Sequence, residues 1–171
     1  GLGLSMALAF AELGANLVLA SRDPGHLEPA CEKIKSRGGK AIAVRCDVRK
    51  FEEVEAAVAE AEKAFGGVDI LVNNASAISL TGTLATPMKR FDLMFGVNVR
   101  GTYACSQACL PHLVRAAAAG RNPHILTLAP PLNLDPKWFA PHVAYTMAKY
   151  GMSMCVLGMA EEFRGAGVAV N

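Results

Sequence analysis

The stretch Val68-Asp69-Ile70-Leu71-Val72-Asn73-Asn74-Ala75-Ser76 decides the fold class. A short, nearly continuous apolar run passes straight into small and polar residues. Such a run, bounded by turn formers, reads as a strand covered on both faces. Immediately before it, Gly66-Gly67 closes a helical pattern with an inner stripe of Phe51, Val54, Val58, Ala61 and Phe65. Those residues recur at the three-and-four spacing of one helix face. A helix delivered by glycine into a doubly covered strand is one unit of an α/β sheet, and the same unit recurs on both sides.

Towards the N-terminus, Ala41-Ile42-Ala43-Val44 is a strand ending at Cys46-Asp47. A helix over 26–36, closed by Gly38-Gly39, precedes it, and Ser21-Arg22-Asp23-Pro24-Gly25 is a turn. Asn16-Leu17-Val18-Leu19-Ala20 is another strand. Gly1-Leu2-Gly3 opens a helix whose apolar face is expected at Met6, Phe10 and Leu13, with Gly14 as its stop.

Towards the C-terminus, 79–85 is a loop, and Thr86-Pro87 reads as an N-cap and first helical position. The helix that follows runs to about 119, with bends expected around 96–101 and at Pro111. A strand over 124–128 leads into a proline-rich loop over 129–141 containing Trp138 and Phe139. A last helix reaches about 163, and a strand begins at 167. Alternating helices and doubly covered strands imply an α/β fold with a doubly wound parallel sheet. Ligands of such sheets lie beyond the carboxyl ends of the strands. Arg22, Asp47, Asn73-Asn74 and the loop after Leu128 all fall there.

The chain has 171 residues, 52% of them hydrophobic, which is enough for one sizeable core and points to a single domain over 1–171. The net charge of +2, with both signs interspersed, gives no argument for nucleic acid or an anionic membrane. No apolar run reaches transmembrane length. Five cysteines (Cys31, Cys46, Cys105, Cys109 and Cys155) lack metal-ligand spacing, so no metal site is expected. Their odd number fits a reducing compartment, with the cytoplasm first. The chain begins without methionine and stops inside a strand-like run, so it reads as a fragment. Peroxisomal or mitochondrial placement therefore stays open.

The chemistry-bearing motif is Tyr145-Thr146-Met147-Ala148-Lys149. A tyrosine and a lysine four residues apart share one helix face. An ammonium close to a phenol favours the phenolate by opposite charge, which suits a group that gives and takes a proton.

Taken in order, Asn73-Asn74-Ala75, Asn98 and Tyr145-x-x-x-Lys149 resemble the classical short-chain dehydrogenase/reductase family over the whole chain. Residues 73–80, 130–134 and 144–154 are similar to its hydroxysteroid dehydrogenase-like branch and bacterial relatives. The resemblance implies a Rossmann-like fold whose first strand would precede Gly1 and whose C-terminal part would follow Asn171. Residues 1–171 alone are then not expected to fold stably, because the missing strand belongs between those at Leu17 and Ile70.

The resemblance also implies site residues. Gly1, Leu2 and Gly3 match the end of the dinucleotide-binding loop, where uncovered helix N-terminal amides approach a pyrophosphate. Asp47, with Val48 beside it, matches the acid placed against the adenine. Asn74 and Ala75 match the segment near the cofactor. Asn98 corresponds to a catalytic asparagine that bends its helix and fixes a water next to the lysine. Tyr145 would be the general acid/base, and Lys149 would bind the nicotinamide ribose. The position that an NAD enzyme fills with an acid is Ser21 here, followed by Arg22, so NADP(H) is expected over NAD(H).

One departure from the family stands out. A serine usually follows the strand before the catalytic helix. Strand alignment puts Ala129-Pro130 there, and counting back from Tyr145 gives Leu132. Thr127 and Asn133 are the nearest polar substitutes, and Trp138 is a candidate substrate contact. Two functions therefore stand side by side: an oxidoreductase for an apolar hydroxy or oxo compound, and a cofactor-binding sensor or regulatory partner with little turnover. A homodimer or homotetramer is expected for the full-length protein, with Cys109, Val114, Met154 and Leu157 on a helix-to-helix seam.

Overall fold

A computed structural model describes residues 1–171. It divides into two compact units, Gly1–Gly67 and Val68–Asn171.

The first unit contains α1 (Leu2–Glu12), β1 (Asn16–Ser21), α2 (Glu28–Lys35), β2 (Lys40–Arg45) and α3 (Phe51–Phe65). β1 and β2 pair in parallel, Asn16 opposite Lys40 through Ser21 opposite Arg45. Each connection is long enough to carry a helix, as parallel pairing requires. The expected stripe of α3 is the observed one, with Val54 and Ala61 buried and Phe51, Val58 and Phe65 half-buried. Gly66 ends α3 at φ +84°, a left-handed conformation that favours glycine.

The face of α1 differs from expectation. Ala7 is buried, with Leu8 and Ala11 packed beside it against Cys31, Ile34 and Ala41. Leu13 is 85% exposed, and Met6 and Phe10 are only half-buried. Most of α1 is apolar all round its circumference, so periodicity does not select a face, and small residues let the helix lie close to the sheet.

The second unit contains β3 (Ile70–Asn73), α4 (Met88–Met94), α5 (Thr102–Ala118), β4 (His124–Thr127), α6 (Val143–Glu162) and β5 (Ala169–Val170). Its sheet is parallel, in the order β3-β4-β5. The expected bend between α4 and α5 is a π-helical segment, Phe95–Gly101, with Asn98 at its middle. Wide turns of this kind occur as short insertions in α-helices, often at functional sites. Helix α4 starts one residue later than the Thr86-Pro87 signal implies, with Pro87 at the cap position. The Thr86 hydroxyl is drawn back to the carbonyls of Thr81 (3.2 Å) and Gly82 (2.9 Å), closing the preceding loop instead of capping α4.

Within their own units, β1 pairs only with β2, and β3 only with β4. Each therefore keeps one unpaired edge. No helix is long and apolar enough to cross a membrane. Cys109 does not lie on an exposed seam. It is buried in its unit's interior, and desolvation pushes its thiol up to about 12. Val114, Met154 and Leu157 do stand exposed on α5 and α6.

Candidate active site

In the first unit, the candidate residues gather at the carboxyl ends of β1 and β2. The ladder continues one bond past the strands, from the Cys46 amide to the Ser21 carbonyl at 2.8 Å. Arg22 follows Ser21 and is exposed. The carboxylate of Asp23 is turned to its own bend, where it accepts from the Gly25 amide at 3.0 Å. Asp47 is buried, and its carboxylate receives a two-point bond from the Arg49 guanidinium, with Nε 2.9 Å from Oδ1. It also accepts from the Arg49 amide at 3.1 Å. That side-chain bond holds the Asp47 carboxyl well below its usual range, at about 2, against a smaller opposing effect of burial.

Glu53 on α3 supports this turn by accepting from the Asp47 amide at 2.8 Å. Sequence reading missed both Arg49 and Glu53. The Glu53 contact spans only six residues and follows from an acid in the first turn of α3, where the helix dipole favours negative charge. Gly1 occupies the cap position of α1, with no side-chain cap bond. The exposed Arg22 guanidinium is a donor that suits a phosphate, whereas the fixed Asp47 carboxylate is an acceptor.

In the second unit, β3, β4 and α6 converge through one chain of bonds. The Leu128 amide donates to the Asn73 carbonyl at 3.2 Å, which ties the end of β4 to the end of β3. The Leu128 carbonyl in turn accepts from Lys149 Nζ at 2.6 Å. Nζ also lies 3.3 Å from Met152 Sδ. Burial lowers the pKa of Lys149, since removing water from an ammonium favours its neutral form.

Asn98 is fully buried. Its Nδ2 donates to the Ala77 carbonyl at 2.9 Å, and its Oδ1 accepts from the Ala77 amide at 2.8 Å. The π-helical segment thereby grips the loop that carries Asn74 and Ala75, both exposed just past β3. Tyr145 packs with Ala77, Phe95 and Val99 around Met94, Ala144 and Ala148. Its ring meets His142 edge-on at 5.9 Å. Gly151, two residues beyond Lys149, lets α6 approach the π-helical segment: a Cβ there would fall 2.7 Å from Val99 Cγ2. The structure therefore brings Ala77, Asn98 and Tyr145 around one cluster, and Lys149 to the end of β4.

The three substrate candidates are placed differently. Thr127 is buried, and its hydroxyl oxygen accepts from Asn73 Nδ2 at 3.4 Å. Asn73 also donates to Ser106 Oγ at 3.3 Å, so Thr127 serves an interior polar network. Asn133 spends its side chain on a local turn, accepting from the Asp135 amide at 2.9 Å. Trp138 is exposed, with Lys137 Nζ 5.3 Å from its ring centre. Of the three, Thr127 alone carries a hydroxyl, and it is buried.

Each unit holds a parallel sheet covered by helices, and the helix with Tyr145 and Lys149 lies beside the end of β4. The family model described as short chain dehydrogenase matches residues 1–171, and the chain belongs to that family. It is 56% identical to hydroxysteroid dehydrogenase-like protein 2 of Danio rerio, an alignment that covers 100% of this chain and 42% of that protein. The Homo sapiens protein of the same name is 54% identical, with 100% and 41% covered. The chain thus spans about two fifths of the length of these curated relatives.

Solved structures agree. A short chain dehydrogenase from Mycobacterium thermoresistibile superposes with TM-score 0.92 at 50% identity, covering 100% of this chain and 62% of that one. A metagenomic short-chain oxidoreductase in complex with NADP gives TM-score 0.88 at 30% identity, covering 98% and 74%.

Proposed function

We propose that the protein is an oxidoreductase that moves a hydride between NADP(H) and an apolar hydroxy or oxo compound. The observation that carries this reading is Lys149, an ammonium half-buried against the Leu128 carbonyl and one helical turn from Tyr145. Keeping a charge in partial burial is unfavourable, and it gains a reason if that charge acts on a reacting group.

The nicotinamide cofactor, when bound, would supply or accept the hydride. Tyr145 would give its hydroxyl proton to the carbonyl oxygen in reduction and take one from the alcohol in oxidation. Lys149 would hold the nicotinamide ribose and keep a positive charge beside the phenol. Asn98 would keep the Ala77 loop, and with it Asn74 and Ala75, against the cofactor. Gly1, Leu2 and Gly3 would meet the pyrophosphate with backbone amides, and Asp47 and Val48 the adenine.

NADP(H) is favoured over NAD(H) because the end of β1 carries Ser21 and Arg22 and no acid free to bind the ribose hydroxyls. Asp23, which follows Arg22, is engaged at Gly25, and Asp47 at Arg49. The likeness to an NADP-bound oxidoreductase supports the same choice. The chain would form one dinucleotide-binding domain over 1–171. Exposed Val114, Met154 and Leu157 support a homodimer or homotetramer of the full-length protein.

A second reading is a cofactor-binding protein of this family with little turnover. The lack of a serine at Ala129-Pro130 or at Leu132, and the buried Thr127, favour it. Full-length protein assayed for NADPH oxidation across apolar aldehydes and ketones, with dissociation constants for both nucleotides, separates the two. Oxidation with tighter NADPH binding fits the first. Saturable nucleotide binding with no oxidation fits the second.

A further inference from the structure

One face of α6 holds the loop that follows β4. His142, at the helix cap, then Thr146, Lys149 and Tyr150 fall at i, i+4, i+7 and i+8, a single side of a helix. Lys149 grips the start of the loop at the Leu128 carbonyl. The Thr146 hydroxyl, joined to His142 Nδ1 at 2.8 Å, reaches the Trp138 carbonyl at 3.4 Å near its end.

The middle is held by Tyr150. Its hydroxyl donates to the Asn133 carbonyl at 2.6 Å and accepts from the Asn133 amide at 3.0 Å. One phenol thereby satisfies both backbone groups of one residue, fixing its position and its rotation together. The Tyr150 ring adds a tilted contact with Phe139 at 5.0 Å. Downstream of the lock the loop orders itself, the Asn133 and Asp135 side chains accepting from the Asp135 and Lys137 amides. The held segment presents Leu132, Leu134 and Trp138 to solvent. It begins just past the carboxyl end of β4, the edge where parallel α/β sheets place their ligands.

We propose that Tyr150 is a positioning residue whose hydroxyl fixes the loop over 129–139 relative to Tyr145 and Lys149, and so sets the affinity for an apolar substrate. This rests on the oxidoreductase reading above. Tyr150 acts through Asn133, the residue its hydroxyl holds. A residue that only packed would need the ring and not the hydroxyl. Two bonds to the backbone of one residue give the hydroxyl a job of its own, because Pro130 and Pro131, just before Asn133, offer no N–H.

The test is Tyr150→Phe in the full-length protein, which keeps the ring and removes the hydroxyl. Hydrogen exchange with NADPH bound should show faster exchange in a peptide over 129–139 and unchanged exchange over 151–162. With a straight-chain aldehyde series from hexanal to dodecanal, KM should rise about tenfold while kcat stays within about threefold, the pattern of lost binding with intact chemistry. The NADPH dissociation constant should stay within about twofold, since no bond to the nucleotide is lost.

Unchanged exchange in the loop would overturn the lock. Faster exchange with unchanged KM, or an equal loss of kcat and nucleotide affinity, would overturn the positioning role. A wild-type protein that oxidises NADPH with none of the aldehydes would overturn the oxidoreductase reading instead, with exchange still deciding the lock.

Discussion

Asn98 and Ala77 bind each other through both ends of one amide: Nδ2 to the Ala77 carbonyl at 2.9 Å, and the Ala77 amide to Oδ1 at 2.8 Å. The two residues are far apart in sequence, and the bond joins the π-helical segment to the loop after β3. A fully buried side chain that satisfies both backbone groups of one residue cannot be shortened without leaving those groups unpaired. Asn98→Ala should therefore destabilise the full-length protein by about 2–4 kcal/mol, from two lost bonds and two stranded backbone groups. Urea unfolding checks this, and an unchanged midpoint would show that water replaces the amide.

Arg49→Ala should change the acid limb of stability. The bond from Arg49 holds Asp47 at about 2, below its ordinary 3.8. A carboxyl with a depressed folded pKa contributes stability that is complete above its unfolded value and lost as pH falls through its folded value. The native contribution therefore disappears between about pH 4 and pH 2. The alanine variant should lack it, giving a flatter profile across that window. Thermal midpoints from pH 5 to pH 2 measure it, and parallel wild-type and variant curves would contradict it.

Lys149→Met should separate stability from function. Burial lowers the lysine pKa from its ordinary 10.5. For a base this means that the charged form is disfavoured in the fold, and that stability rises as pH climbs towards the unfolded value. Removing the charge should leave the neutral-pH melting temperature equal or higher. Turnover should disappear and nucleotide binding should weaken. A melting temperature lower by more than about 5 °C would mean that the bond to the Leu128 carbonyl outweighs desolvation.

These outcomes depend on features unequally legible in the sequence. The α3 stripe and the stop at Gly66 could be read directly, because an amphipathic helix announces its own period. The strand ends carrying Arg22, Asp47 and Asn74 are legible because continuous apolar runs stop there at polar residues. The face of α1 was not, since apolar residues surround most of the helix and only tertiary contact selects Ala7. Asn98 could be placed as the residue bending its helix. Its partner Ala77 could not, because nothing local links the two. Gly151 reads as an ordinary small residue until Val99 is seen against it. Thr127 and Asn133 stand out in the sequence by polarity alone, and the structure commits the one to Asn73 and the other to a turn.

Restoring a hydroxyl tests the loop alignment. Pro130 lies three residues past the end of β4, before the lock at Asn133, and Leu132 stands 46% exposed next to that lock. Strand ends are fixed by sheet pairing, whereas loops absorb insertions. Pro130→Ser should raise turnover modestly, by donating to the developing oxyanion, and Leu132→Ser should not. An increase from Leu132→Ser alone would shift the equivalent position by two residues.

The most direct measurement compares full-length wild-type protein and Tyr145→Phe for NADPH oxidation with apolar aldehydes and ketones, alongside NADPH dissociation constants. If Tyr145 is the acid, the variant should lose turnover by about a hundredfold or more while binding NADPH within about twofold of wild type. A phenylalanine variant that keeps most of the wild-type rate would contradict the account.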